Sequence, residues 1–298
     1  MTGVIAAVAT PVGADGGLIV ATFERLVGFL IESGVDGLCL GGATSEYPNT
    51  ALEDRKAAIG AAARHLPLDR TLLVAIGASS LRQSLELGES ARAAGSRAVL
   101  LPMPMFFRYA QHDLEAFSIE VSRTLRVPVL LYDLPDFTNP LEPATVIRLL
   151  QNEGLIVGIK DSSGIVENLV CYATARGNRG WTLLVGNDRL LLTGLKAGWN
   201  GTVSGIAGFC PALPLAIHRS WTRGDTNRAA HLQTLLDEAV LQLDTLPTPW
   251  GIRIALEARG FGMGPLPLPL SPARREQVAQ FRTWLPGWMD RVDSEVRG

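Results

Sequence analysis

The chain reads as an α/β protein: a closed parallel (β/α)8 barrel of the TIM type with a C-terminal helical extension. Three observations lead there. Short apolar runs alternate with amphipathic helical stretches along the chain, at the roughly 30-residue spacing of a βα unit. Eight such runs follow one another with no linker or shift in composition between them, which favours a closed ring over an open sheet. Past the eighth run the chain continues through helical segments that a minimal barrel does not need.

The elements follow in order. Strand one is the run 4–9, followed by a helical pattern at 21–32. Strand two at 37–41 precedes a helix at 52–64, strand three at 72–76 precedes 80–94, and strand four at 98–101 precedes 113–124. Strand five at 128–132 leads to 143–151, strand six at 156–160 to 167–176, and strand seven at 183–186 to 189–197. Strand eight covers 201–204. Most of these runs are apolar rather than alternating, as expected of strands buried on both faces; strand eight, Gly201-Thr-Val-Ser204, is the exception. Further helices at 226–243, 250–259 and 274–290 make up the extension, so the barrel is assigned to 1–225 and the extension to 226–298. An open doubly wound sheet is the alternative. Its best support, Gly260-Phe-Gly-Met-Gly264, runs into Pro265, Pro267 and Pro269 with no strand before it, so it reads as a turn.

Composition narrows the function. Hydrophobic residues make up 47 % of the 298 positions and charged residues 19 %, with a formal net charge of −2. No lysine- or arginine-rich run is present, so neither nucleic acid nor an anionic membrane surface is expected as a partner. Charged residues, glycine or proline interrupt every apolar stretch before it reaches membrane-spanning length. The opening Met1-Thr-Gly-Val-Ile lacks the layout of a secretory signal. Cys39, Cys171 and Cys210 are widely spaced, and the four histidines show no ligand spacing. That pattern points to a reducing cytoplasm and to no bound metal.

One residue type stands out against this background. Only Lys56, Lys160 and Lys196 of the 27 basic residues are lysines. Lys160 closes the apolar run Leu155-Ile-Val-Gly-Ile-Lys160. A primary amine can shed its proton in an apolar setting and attack a carbonyl, whereas a guanidinium cannot. In a parallel barrel the strand C-termini form the functional face. Strand two ends there in Gly41-Gly-Ala-Thr-Ser-Glu46, strand five in Tyr132-Asp-Leu-Pro135, strand seven in Gly186-Asn-Asp188 and strand eight in Val203-Ser-Gly205. A buried amine, a phenol one strand away and a loop rich in small residues are the parts of a Schiff-base site.

Bland readings stand beside these. Tyr132 could be a core tyrosine and Thr44 a turn residue. Glu46 is expected to cap or brace its loop, and Asp161 and Asp188 are expected to be helix N-caps. Lys196 reads as a helix C-terminal charge and Lys56 as part of a solvated face.

Gly42-Ala-Thr-Ser-Glu46, Tyr132-Asp-Leu-Pro135 and Gly158-Ile-Lys-Asp-Ser-Ser163, in this order, resemble the three signatures of the dihydrodipicolinate synthase/N-acetylneuraminate lyase family. The likeness runs from Thr10-Pro11 to Leu266-Pro-Leu-Pro-Leu270. It implies a homo-oligomer, tetramer or dimer, that forms a lysine imine with pyruvate or another 2-oxo acid and uses no other cofactor. Carried onto this sequence, Lys160 is the nucleophile and Tyr132 the acid/base. Thr44 holds the carboxylate, Val203 offers a backbone carbonyl, and Gly186 is a small residue at the mouth. Three positions depart from the synthase pattern. Ala43 replaces a hydroxyl residue, Phe106 replaces a relay tyrosine, and Phe137 replaces an arginine that clamps a second carboxylate. The expected activity is therefore a pyruvate-dependent class I aldolase or lyase acting on a 2-keto-3-deoxy sugar acid. The alternatives are 4-hydroxy-tetrahydrodipicolinate synthase, a 2-oxo acid dehydratase, or a barrel that binds a 2-oxo acid without turnover.

Overall fold

The structure, a computed structural model, describes residues 1–297. Eight strands close into one all-parallel barrel in sequence order. They are β1 Gly3–Ala7, β2 Gly37–Leu40, β3 Thr71–Ala75, β4 Ala98–Pro102, β5 Val129–Asp133, β6 Ile156–Asp161, β7 Thr182–Val185 and β8 Gly201–Ser204. β8 pairs back onto β1, with Val203 opposite Ile5. The intervening helices are α1 Val20–Glu32, α2 Leu52–His65, α3 Leu81–Ala93, α4 Gln111–Leu125, α5 Pro143–Asn152, α6 Val166–Arg176 and α7 Leu191–Lys196. α8 Ala212–Thr222 completes the ring, and α9 Thr226–Leu243, α10 Trp250–Ala258 and α11 Pro272–Arg297 follow.

Two apolar clusters explain why most of the strands carry no polar alternation. Side chains such as Ile5, Leu73, Leu100, Leu130 and Leu184 fill the barrel interior. Their chain neighbours, such as Val4, Val74, Leu101, Leu131 and Val185, pack under the helix layer. Each strand is thus buried on both faces. The extension is fastened by aromatic packing. Trp288 of α11 donates its indole N–H to Leu235 O of α9 at 3.0 Å and lies 6.0 Å, ring to ring, from Phe209.

Some boundaries differ from the sequence reading. The run 4–9 stays buried to its end, but β1 stops at Ala7 because the ladder, not apolarity, defines a strand. β7 ends at Val185, which leaves Gly186 as the first loop residue. The pattern at 189–197 is a short 3-10 turn, Asp188–Leu190, followed by α7. α8, with Pro214 in its first turn, had no counterpart among the predicted helices. Among the described residues no helix is long and apolar enough to cross a membrane.

Candidate active site

Tyr132 and Lys160 are register partners on neighbouring strands β5 and β6. Both point into the barrel near its C-terminal end and are 2 % and 5 % exposed. The Lys160 Nζ lies 3.9 Å from the centroid of the Tyr132 ring, a cation–π distance. Among the described residues no carboxylate is ion-paired with the Lys160 ammonium. Cys39 of β2 also faces this interior. Burial pushes its thiol up to about 11, and the charge of Lys160 opposes that rise.

Above the pair opens a cavity of about 260 Å³. Its lining includes Ala7, Ala43, Thr44, Tyr132, Leu134, Lys160, Gly186 and Val203. The structure therefore gathers the sequence-predicted residues Ala43, Thr44, Tyr132, Lys160, Gly186, Val203 and Phe137 around one cavity. Gly186 is confined. A Cβ there would collide with the Ser162 hydroxyl and stand 2.8 Å from Lys160 Cε and 3.1 Å from Asp161 O. Only glycine leaves the lysine stem in place. Phe137, 51 % exposed, stands at the rim, where it also lines an adjoining apolar groove with Met105, Pro247 and Leu268.

The Thr44 loop is held by polar contacts. The Ser45 hydroxyl donates to Val8 O at 2.6 Å and accepts from Gly41 N–H at 2.9 Å. Gly41 (φ 69) and Glu46 (φ 52) both take the left-handed conformation, which folds the loop back over the barrel. Glu46 caps nothing; it pairs with Arg253 of α10 at 2.7 Å, both side chains being buried. The same guanidinium donates to Thr10 O, Met263 O and Pro265 O. It joins the N-terminal loop, the Thr44 loop and the extension.

Several cavity residues went unrecognised in the sequence. Val240, Leu243, Asp244, Thr248 and Ile252 come from the extension and close one side of the cavity. Ser162 lines it too, and its buried hydroxyl has no partner. The expected caps are corrected. Asp161 is the last residue of β6 and accepts Ser163 N–H at 2.7 Å in a local turn. Asp188 reaches across to Ile206 N–H at 3.2 Å while Asn187 caps the turn, and burial raises the Asp188 carboxyl above the usual range. Phe106 is 91 % exposed with φ 73 and does not line this chain's own cavity. Lys56 pairs with Glu53 and Glu86 on the surface, and Lys196 lies in the last turn of α7.

Comparison with known proteins agrees with this fold. The chain matches the dihydrodipicolinate synthetase family model over residues 1–286. It is 31 % identical over 293 residues to the protein of Escherichia coli K12 named "Putative 2-dehydro-3-deoxy-D-gluconate aldolase YagE", covering 95 % of this chain and 96 % of that one. It is 34 % identical to 4-hydroxy-tetrahydrodipicolinate synthase 1 of Streptomyces coelicolor, over 92 % and 90 % of the two chains. The crystal structure of E. coli YagE in complex with pyruvate superposes with a TM-score of 0.88 at 30 % identity, over 97 % and 98 % of the chains.

Proposed function

This chain belongs to the dihydrodipicolinate synthetase family, and from that premise we propose that it cleaves a 2-keto-3-deoxy sugar acid to pyruvate and an aldehyde through an imine on Lys160. The protein is a lyase of the aldolase type. The observation that carries the residue assignment is the buried Lys160 amine against the Tyr132 ring at the floor of the cavity.

The steps follow from that placement. The Lys160 amine adds to the C2 carbonyl of the 2-oxo acid, and loss of water gives a protonated imine. Thr44 and the backbone N–H groups of its loop hold the C1 carboxylate. Tyr132 gives its proton to the hydroxyl that leaves as water when the imine forms, and the resulting phenolate accepts the proton of the C4 hydroxyl as the C3–C4 bond breaks and the aldehyde departs. The bonding electrons pass to the imine nitrogen, leaving an enamine. Protonation at C3 and addition of water then release pyruvate and restore the lysine. The imine is the electron sink, so the chemistry calls for no metal or organic cofactor.

The substrate assignment rests on Phe137. A phenyl ring at the rim offers a second carboxylate no hydrogen bond, and a carboxylate desolvated against it is unpaired. The likeness to YagE supports the sugar-acid reading. Phe106 and Phe107, 91 % and 64 % exposed on the β4–α4 loop, are the surface on which we base a homo-oligomer. The buried free thiols of Cys39 and Cys210 support a reducing, cytoplasmic setting.

The deciding experiment compares kcat/KM for pyruvate condensation with glyceraldehyde, longer neutral aldehydes and aspartate semialdehyde. Neutral aldehydes are expected to win. A large advantage for aspartate semialdehyde makes the protein a 4-hydroxy-tetrahydrodipicolinate synthase, and no turnover with any aldehyde leaves a 2-oxo acid binding barrel.

A further inference from the structure

The substrate carboxylate is assigned to the loop 41–46, and the hydrogen bonds behind that loop decide which way its N–H groups point. Among the described residues no backbone carbonyl accepts the N–H of Ala43 or of Thr44, and both residues line the cavity. Two successive free N–H groups beside a cavity suit an anion. The peptide that carries the Ala43 N–H also carries the Gly42 carbonyl, which accepts the Ser45 N–H at 3.1 Å. The peptide that carries the Thr44 N–H also carries the Ala43 carbonyl, which accepts the Glu46 N–H at 2.9 Å. In a trans peptide the C=O and N–H point to opposite sides of one plane. Ser45 and Glu46 therefore hold the two oxygens and turn the two N–H groups the other way.

Each of these holding residues needs an anchor. Ser45 has one in the barrel: its hydroxyl donates to Val8 O at 2.6 Å, and the Thr10 hydroxyl donates to its carbonyl at 3.0 Å. Glu46 sits in the left-handed region, φ 52 and ψ 46, which a residue with a Cβ adopts reluctantly. Its carbonyl accepts the Asn49 N–H at 2.8 Å and the Thr50 hydroxyl at 3.2 Å. Its carboxylate accepts from Arg253 of α10 at 2.7 Å. The Arg253 side chain is itself immobilised. It is buried and donates to Thr10 O at 3.1 Å, Met263 O at 2.6 Å and Pro265 O at 2.9 Å. A planar fork with that many acceptors cannot swing without breaking several bonds, so it makes a rigid post for Glu46.

We propose that Glu46 and Arg253 are positioning residues for the substrate carboxylate: Arg253 holds Glu46 in its left-handed conformation, and Glu46 turns the Thr44 N–H toward the bound 2-oxo acid. This rests on the reading that the Thr44 loop takes the C1 carboxylate. It gives the C-terminal extension a share in substrate binding beyond closing one side of the cavity. Neither Glu46 nor Arg253 lines the cavity above Lys160, so both act through the loop. Loss of the pair should weaken the hold on a carboxylate and leave Tyr132 and Lys160, on β5 and β6, in place.

The test follows borohydride trapping on Lys160 at rising concentrations of pyruvate and of methyl pyruvate, which has the same ketone but no carboxylate charge. Wild type, Glu46→Gln and Arg253→Lys are compared. Lysine keeps the positive charge but lacks the fork that holds Glu46 and the carbonyls together. In each variant half-saturation by pyruvate should need roughly 10- to 100-fold more ligand, the worth of one hydrogen bond to a charged group. Half-saturation by methyl pyruvate should stay close to the wild-type value, and trapping at saturation should remain complete. A lower thermal midpoint with unchanged half-saturation by pyruvate means that the pair supports only the fold, and it overturns the proposal. So does an equal loss for both compounds, which marks a general disturbance of the site. Should one variant fail to fold, the other decides. If the wild type forms no imine on Lys160, the catalytic reading has failed. Calorimetric titration with pyruvate, which needs no imine, then judges the pair separately, and equal affinity in wild type and Glu46→Gln overturns its role.

Discussion

Gly186→Ala adds one methyl group at the most crowded point of the site. The new Cβ would overlap the Ser162 hydroxyl, stand 2.8 Å from Lys160 Cε and stand 3.1 Å from Asp161 O. Ser162 can rotate away, since its hydroxyl has no partner to lose. The Asp161 carbonyl is held by the Gly186 N–H at 2.7 Å and cannot retreat freely. The lysine stem must therefore move. Overpacking of this kind costs about 1–3 kcal/mol, and about 1.4 kcal/mol is a factor of ten in rate. Misplacement of the Lys160 amine should lower kcat/KM for retro-aldol cleavage by roughly 10- to 100-fold. Gly205→Ala is the control. That position lines the same cavity, but a Cβ there meets only the far end of a side chain, Ile252 Cδ1 at 3.1 Å, and lies 3.7 Å from Thr44 Oγ1, so a smaller loss is expected. Steady-state kinetics of both variants, with circular dichroism to confirm folding, make the comparison. A Gly186→Ala enzyme as active as wild type would refute the argument that glycine there keeps Lys160 in place.

Two further substitutions probe the same machinery. Tyr132→Phe keeps the ring under the ammonium but removes the proton carrier, so kcat should drop roughly 10²–10⁴-fold while borohydride trapping of pyruvate persists. Unchanged turnover would return Tyr132 to the core. Glu46→Gln strips the buried Arg253 guanidinium of its only carboxylate partner among the described residues. Breaking such a pair costs about 3–5 kcal/mol, which for a chain of this size lowers the thermal midpoint by on the order of 10 °C. Scanning calorimetry reads that directly, and a shift of less than a degree or two would mean the pair is not a brace.

The barrel was legible because its strands are buried on both faces, so most of them appear as apolar runs between polar helix signals, β8 with Thr202 and Ser204 being the exception. The ends were less so. Val8 and Ala9 are as buried as β1, and nothing in their chemistry says that the ladder stops at Ala7. α8 was obscured by Pro211 and Pro214, which the first turn of a helix tolerates but which read as loop signals. Lys160 and Tyr132 could be found because a polar group at the end of an apolar strand needs a reason. The extension's share of the cavity could not. Val240, Leu243 and Ile252 occupy ordinary apolar positions on amphipathic helices, and only folding brings them over the barrel mouth. Likewise Glu46 and Arg253 are 207 residues apart.

The central claim is that one lysine of three carries the chemistry, and a single labelling experiment reaches it. Lys56 is ion-paired on a helix surface and Lys196 ends a short helix, whereas Lys160 lies 3.9 Å from the Tyr132 ring centroid at the cavity floor. Protein incubated with pyruvate and borohydride, then digested and mapped by mass spectrometry, should carry one reduced pyruvyl group on the Lys160 peptide and none on the peptides of Lys56 and Lys196. An adduct on either of those two, or no adduct at all, contradicts the account.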